Sequence, residues 1–125
     1  MNGRNPAVAQ RARKYLAIYR RFTFSIITRY EILRALKTKG AIQQVALFEE
    51  RCQSSRVLPL TDAIVIQAAE IYADLYRRGQ LISDADILIA ATALTRNSTL
   101  VTENVDHFAR IPGLHFESWR QPISG

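Results

Sequence analysis

An α/β domain with a mostly parallel sheet flanked by helices is the fold class this 125-residue chain predicts. Three observations carry that expectation. Short apolar runs of strand character alternate with longer segments of helical period. A hydrophobic content of 48% suits one core, and the length is too small for two, so a single domain over residues 1–125 is expected. No linker, repeat or low-complexity stretch interrupts the order of elements.

Taken in order, Val8, Ala12, Tyr15, Leu16 and Tyr19 recur at helical spacing after Pro6 and predict an amphipathic helix over 7–20. Phe22-Thr-Phe-Ser-Ile-Ile27 reads as a buried strand. Thr28-Arg-Tyr-Glu31 has capping-box spacing and opens a helix to about Thr38, which Gly40 ends. Ala41 to Cys52 carries Val45, Phe48 and Cys52 on one face, completing a helical hairpin. Arg56 to Leu60 is a short strand whose proline suggests a sheet edge, and Thr61 or Asp62 caps a long helix to about Arg78, stopped by Gly79. Ser83 caps a further helix ending near Asn97. A strand over 99–102, a short helix from Val105 to Arg110 and a strand from Leu114 to Glu117 close the order.

Charge is unevenly placed. Residues 1–40 carry ten Lys or Arg against the single acid Glu31, so the net +6 is an N-terminal property. Fourteen of the seventeen cations are arginine, whose planar fork suits bidentate contact with phosphate or carboxylate. A polyanionic substrate or acidic partner fits, and so does a solvated helix face. The lone Cys52 excludes an intramolecular disulfide, and no secretory leader or apolar run near membrane-span length is found. A cytoplasmic location with no membrane association is expected.

The architecture decides where the acids fall. A helix between parallel strands runs antiparallel to them, so its first turn lies at the carboxyl edge of the sheet, where open α/β folds place ligands. Asp84 and Asp86 stand in such a first turn, Glu31 begins the helix after strand 22–27, and Thr102-Glu-Asn104 follows strand 99–102. Convergence of Glu31, Asp86 and that turn would gather hard oxygen donors suited to magnesium or manganese. Each acid also has a plainer explanation: Glu31 lies three residues after Thr28 and Asp86 three after Ser83, as capping partners do. Asp84 suits a supporting role, Asp106 and His107 read as surface residues, and His107 and His115 are too isolated for a zinc site.

Phe24-Ser-Ile-Ile-Thr-Arg-Tyr-Glu-Ile-Leu33, Gly79-Gln-Leu-Ile-Ser-Asp-Ala-Asp-Ile-Leu-Ile-Ala-Ala-Thr-Ala93, Leu100-Val-Thr-Glu-Asn-Val-Asp-His-Phe108 and Pro112-Gly-Leu-His-Phe-Glu-Ser-Trp119 together resemble the PIN-domain family, specifically VapC-like toxins. The resemblance runs from about residue 7 to residue 119. It implies a PIN-like three-layer domain and a ribonuclease dependent on Mg²⁺ or Mn²⁺. It also implies a homodimer held inactive by a VapB-type antitoxin. By position, Glu31 and Asp86 match the family's second and third acids and Asn104 its fourth site, with Asp84 and Thr102 in support. Arg11, Arg13, Arg20 and Arg21, with Arg4, are expected to steer RNA.

The family's pattern also has a first, central strand bearing an aspartate, which these residues do not show. The expectations that follow are an internal methionine or a truncated variant, and a sheet with a gap, a direct pairing of the flanking strands or strand exchange between copies. A second reading stays open: a catalytically incomplete PIN-like domain that binds RNA or an antitoxin without cleaving.

Overall fold

A computed structural model describes Gln10 and residues 23–118. The helix expected over 7–20 therefore lies, apart from Gln10, outside the described residues. The order is β1 (Thr23–Ser25), α1 (Ile26–Thr38), α2 (Ile42–Gln53), β2 (Arg56–Leu58), α3 (Asp62–Arg77), α4 (Asp84–Thr95), β3 (Leu100–Val101), α5 (Val105–Phe108) and β4 (Phe116–Glu117). All strand pairing among the described residues is parallel. β1 pairs with β2 in the register Thr23 to Arg56, and β3 with β4 in the register Leu100 to Phe116. The two pairs form separate two-stranded sheets, so among the described residues the flanking strands do not pair directly.

The core is helical. α3 buries Ile64, Ala68, Ile71 and Leu75, a single stripe at helical spacing, against α4. α4 is buried over most of its circumference, through Ile87, Ile89, Ala90, Ala91 and Ala93. A helix apolar nearly all round is a central one. Its alanines let neighbouring backbones approach closely, and α1 packs against it from another side. Phe108 from α5, Ile111 and Leu114 close the same cluster.

The hairpin of α1 and α2 is as expected, with Val45, Phe48 and Cys52 half-buried on the inner face and the Phe24 and Phe48 rings 6.1 Å apart. An ion pair between Arg29 and Glu49 ties the two helices, and Arg29 also donates to Cys52 Sγ at 3.4 Å. The hydrogen bond from Arg29 to Glu49 holds the Glu49 carboxyl below the usual carboxylate range.

Three boundaries differ from expectation for identifiable reasons. α1 starts at Ile26, because Ser25 rather than Thr28 is the N-cap: its buried Oγ accepts from Thr28 N at 3.0 Å. β2 ends at Leu58, so Pro59 lies just beyond the strand rather than within an edge. β4 begins at Phe116, since Leu114 is committed to the core from the preceding turn. Thr61 is confirmed as the cap of α3, accepting from Ile64 N at 3.3 Å.

Candidate active site

Asp86 is the most constrained of the sequence-derived candidates. It sits in the first turn of α4, where Ser83 Oγ accepts its backbone N–H at 3.2 Å, so the local sequence itself positions it. Burial in the core face of α4 leaves its side chain 9% exposed. A carboxylate so enclosed needs a partner, and it has one: Asp86 Oδ2 lies 2.8 Å from Nδ1 of His107. His107 was expected on the surface. It is half-exposed, but α5 turns its ring inward onto Asp86, and the reading from sequence missed it because a bond across twenty-one positions leaves no local pattern.

α5 has only four residues and is held from outside itself. Phe108, 2% exposed, anchors it in the core. Arg110 then donates to the carbonyls of Gln80 and Leu81 at 3.2 and 3.3 Å, in the loop that leads into Ser83. Arg78 returns the tie by donating to the Arg110 carbonyl at 2.6 Å while bridging Asp74. The hydrogen bond from Arg78 keeps the Asp74 carboxyl below its ordinary range. This exchange fixes the loop that leads into α4, ahead of Asp86, to the segment bearing His107.

The other candidates are more open. Glu31 lies in the second turn of α1, which has no acid in its first turn; with Ser25 as the cap, a capping role does not explain it. Its side chain is 33% exposed and 4.0 Å from Arg34 Nη2. Asn104 is exposed and occupies the N-cap position of α5 without a side-chain capping bond, while its backbone N–H is accepted by Thr102 Oγ1 at 3.0 Å. Thr102 thus shapes the turn. Asp84 is exposed in the first turn of α4, and Asp106 is exposed, as expected. Arg11, Arg13, Arg20 and Arg21 lie outside the described residues.

The structure brings Asp86 together with His107, and packs α1, which carries Glu31, against α4. Among the described residues, no three of His, Cys, Asp and Glu gather closely enough to hold a metal ion. A cleft of about 480 Å³ lies elsewhere, between α1, α2 and β2, where Ile26, Arg29, Glu49 and Val57 line it.

Residues 4–114 match the PIN domain family model. The chain belongs to the PIN domain family. The strand-and-helix order that places Asp86 at the start of an apolar helix is therefore that of a PIN domain. Ribonuclease VapC1 of Methanocaldococcus jannaschii is 37% identical over 87 residues, covering 70% of this chain and 62% of that protein. The tRNA(fMet)-specific endonuclease VapC of Salmonella typhimurium is 32% identical over 100 residues, covering 79% and 76%. This PIN domain thus spans less than two thirds of the M. jannaschii relative. Among solved structures, DNA-bound VapBC from Salmonella typhimurium superposes with a TM-score of 0.77 at 30% identity, over 86% of this chain and 83% of that one. VapBC-1 from nontypeable Haemophilus influenzae does so with a TM-score of 0.75 at 26% identity, over 95% and 89%.

Proposed function

We propose that this PIN domain is a metal-dependent endoribonuclease, the toxin of a VapBC-type toxin–antitoxin pair. The observation that carries the reading is Asp86: a carboxylate held in the core by a designated partner, at the ligand edge of a fold whose similar proteins are named VapC ribonucleases. Burying such a group costs free energy that the fold alone does not require.

The donor chemistry fits Mg²⁺ or Mn²⁺. Magnesium keeps several waters and is commonly held by one or two carboxylates together with substrate phosphates, so a partial protein shell suffices. Asp86 and Glu31 would hold the ion, with the Asn104 amide oxygen as a further donor. When bound, the ion supplies an activated water and neutralises charge on the phosphate. The chain's own residues do the rest. Ser83 and Thr102 shape the turns that present Asp86 and Asn104, and Asp84 adds negative charge beside them. The arginines of the N-terminal region, Arg11, Arg13, Arg20 and Arg21, attract the RNA backbone.

A VapB-type antitoxin is the proposed protein partner, on the strength of the VapBC complexes among similar structures. A homodimer is proposed as well: Val65, Tyr72 and Tyr76 follow one outward stripe of α3, with the two tyrosine rings stacked at 6.3 Å. No described helix is long and apolar enough to cross a membrane.

The test is cleavage of RNA by the purified chain in Mg²⁺ or Mn²⁺ and in EDTA. Divalent-dependent cutting that falls at least about a hundredfold in Asp86→Ala, and falls also in Glu31→Ala, is expected. Cutting that survives both substitutions rejects the site. A second reading, RNA or antitoxin binding without cleavage, is favoured by the lack of a three-ligand group among the described residues. RNA retention with no cutting under any divalent ion would select it.

A further inference from the structure

We propose that His107 is a positioning residue for the candidate metal site: its imidazole fixes the Asp86 carboxylate so that one chosen oxygen is presented to the cation. The inference rests on the reading of Asp86 as a metal ligand. Its own basis is the geometry of the pair.

A carboxylate oxygen accepts, so the 2.8 Å contact is assigned as a hydrogen bond from the His107 Nδ1–H to Asp86 Oδ2. That bond engages Oδ2, and among the described residues no side chain is bonded to Oδ1. The torsion that turns a carboxylate about its Cβ–Cγ bond is broad and roughly two-fold. Without His107 the group would exchange its two oxygens and sweep through orientations unsuited to a cation. Backbone capping by Ser83 holds only the amide end of Asp86, and does nothing for the carboxylate plane.

Two further features set the pair apart from a chance surface contact. The partners are unequal in exposure, 9% for the Asp86 side chain and 41% for that of His107, so the imidazole closes one side of an otherwise buried group. The segment bearing His107 is pinned just beyond it, by Phe108 in the core and by the reciprocal bonds between Arg110 and the 80–81 carbonyls and between Arg78 and the Arg110 carbonyl. Such fixation gives the ring a defined position from which to orient another group. Partners that hydrogen-bond a ligating side chain typically change metal affinity by about 10- to 100-fold when removed.

The experiment is Mn²⁺ binding to the whole chain, read by the loss of the free-ion electron paramagnetic resonance signal, with thermal melting alongside. Wild type is compared with Asp86→Ala, His107→Ala, His107→Leu and His107→Asn. Asparagine matters because its amide nitrogen occupies nearly the place of the imidazole Nδ1 and donates likewise; leucine keeps bulk without a donor. The expected result is Mn²⁺ affinity about 10- to 100-fold weaker in His107→Ala and His107→Leu, with most of it recovered in His107→Asn. In cleavage assays the loss should shrink as Mn²⁺ is raised, with KM for RNA unchanged. Wild-type affinity in His107→Leu, or an equal loss in His107→Asn and His107→Leu, would overturn the proposal while leaving Asp86 as a ligand. Wild-type protein whose Mn²⁺ binding is absent, or is indifferent to Asp86→Ala, would instead remove the metal reading, and the proposal with it.

Discussion

Single side chains decide how the two acids are presented, and Ser25 is the plainest case. It ends β1, is 5% exposed, and caps α1 by accepting from Thr28 N at 3.0 Å while its hydroxyl also meets Thr28 Oγ1 at 3.1 Å. Removing the hydroxyl leaves a first-turn amide without its acceptor in a half-buried setting. Ser25→Ala should therefore lower unfolding stability by about 1 kcal/mol, within the usual 0.5–2 kcal/mol for lost caps, measured by urea denaturation at constant m-value. Thr28→Ala, at the position that the sequence pattern favoured as the cap, should cost less than Ser25→Ala. The reason the pattern misled is physical: two hydroxyl residues three apart both have capping chemistry, and only tertiary packing of β1 decides which one stands outside the helix. The placement of Asp86 in a capped first turn was legible because Ser83 and Asp86 form a local signal. The contact from His107 was not, because it depends on how α5 docks.

At the scale of elements, helix ends are written locally and strand ends are not. α3 ends in a Schellman arrangement, with Gly79 N bonded to the Tyr76 carbonyl at 3.0 Å and Gln80 N to the Leu75 carbonyl at 2.9 Å. Gly79 has φ +66°, a left-handed conformation that a side chain resists. α4 ends in the same way at Asn97, with φ 53°, its N–H reaching the Leu94 carbonyl and that of Ser98 the Ala93 carbonyl. A Cβ at Gly79 would meet nothing within 4 Å, so the cost of adding one there is conformational rather than steric. Gly79→Ala is expected to destabilise by about 1 kcal/mol, and Gly79→Asn by less, in chemical denaturation. Four helices from 26 onwards were readable to within two residues because caps and stops are side-chain chemistry at fixed offsets. The strands came out two or three residues long, shorter than their apolar runs, because pairing length depends on the partner strand rather than on composition.

For the whole molecule, the distribution of buried surface sets which parts open first. α3 and α4 hold the fully enclosed side chains, Ile64 and Leu75 at 0% and Ile87 at 2% exposure, whereas α1 and α2 contain no residue that is fully buried. The parallel pairs are short and separate, so they add few backbone bonds to resist opening. Opening free energies then grade from the α3–α4 core outward. This gradient bears on the site, since Asp86 stands on the most protected helix and Glu31 on one of the least. In native-state hydrogen exchange, the slowest amides among residues 23–118 should be those of α3 and α4, with α1 and α2 exchanging faster. A ligand that binds only when both helices are in place stabilises the weaker one by mass action. Saturating Mn²⁺ should therefore slow exchange in α1 and leave the already slow α3 nearly unchanged, and Asp86→Ala should abolish that response. Uniform slowing of every helix would place the ion's effect on global unfolding instead. No change in α1 would show that Glu31 and Asp86 do not share an ion.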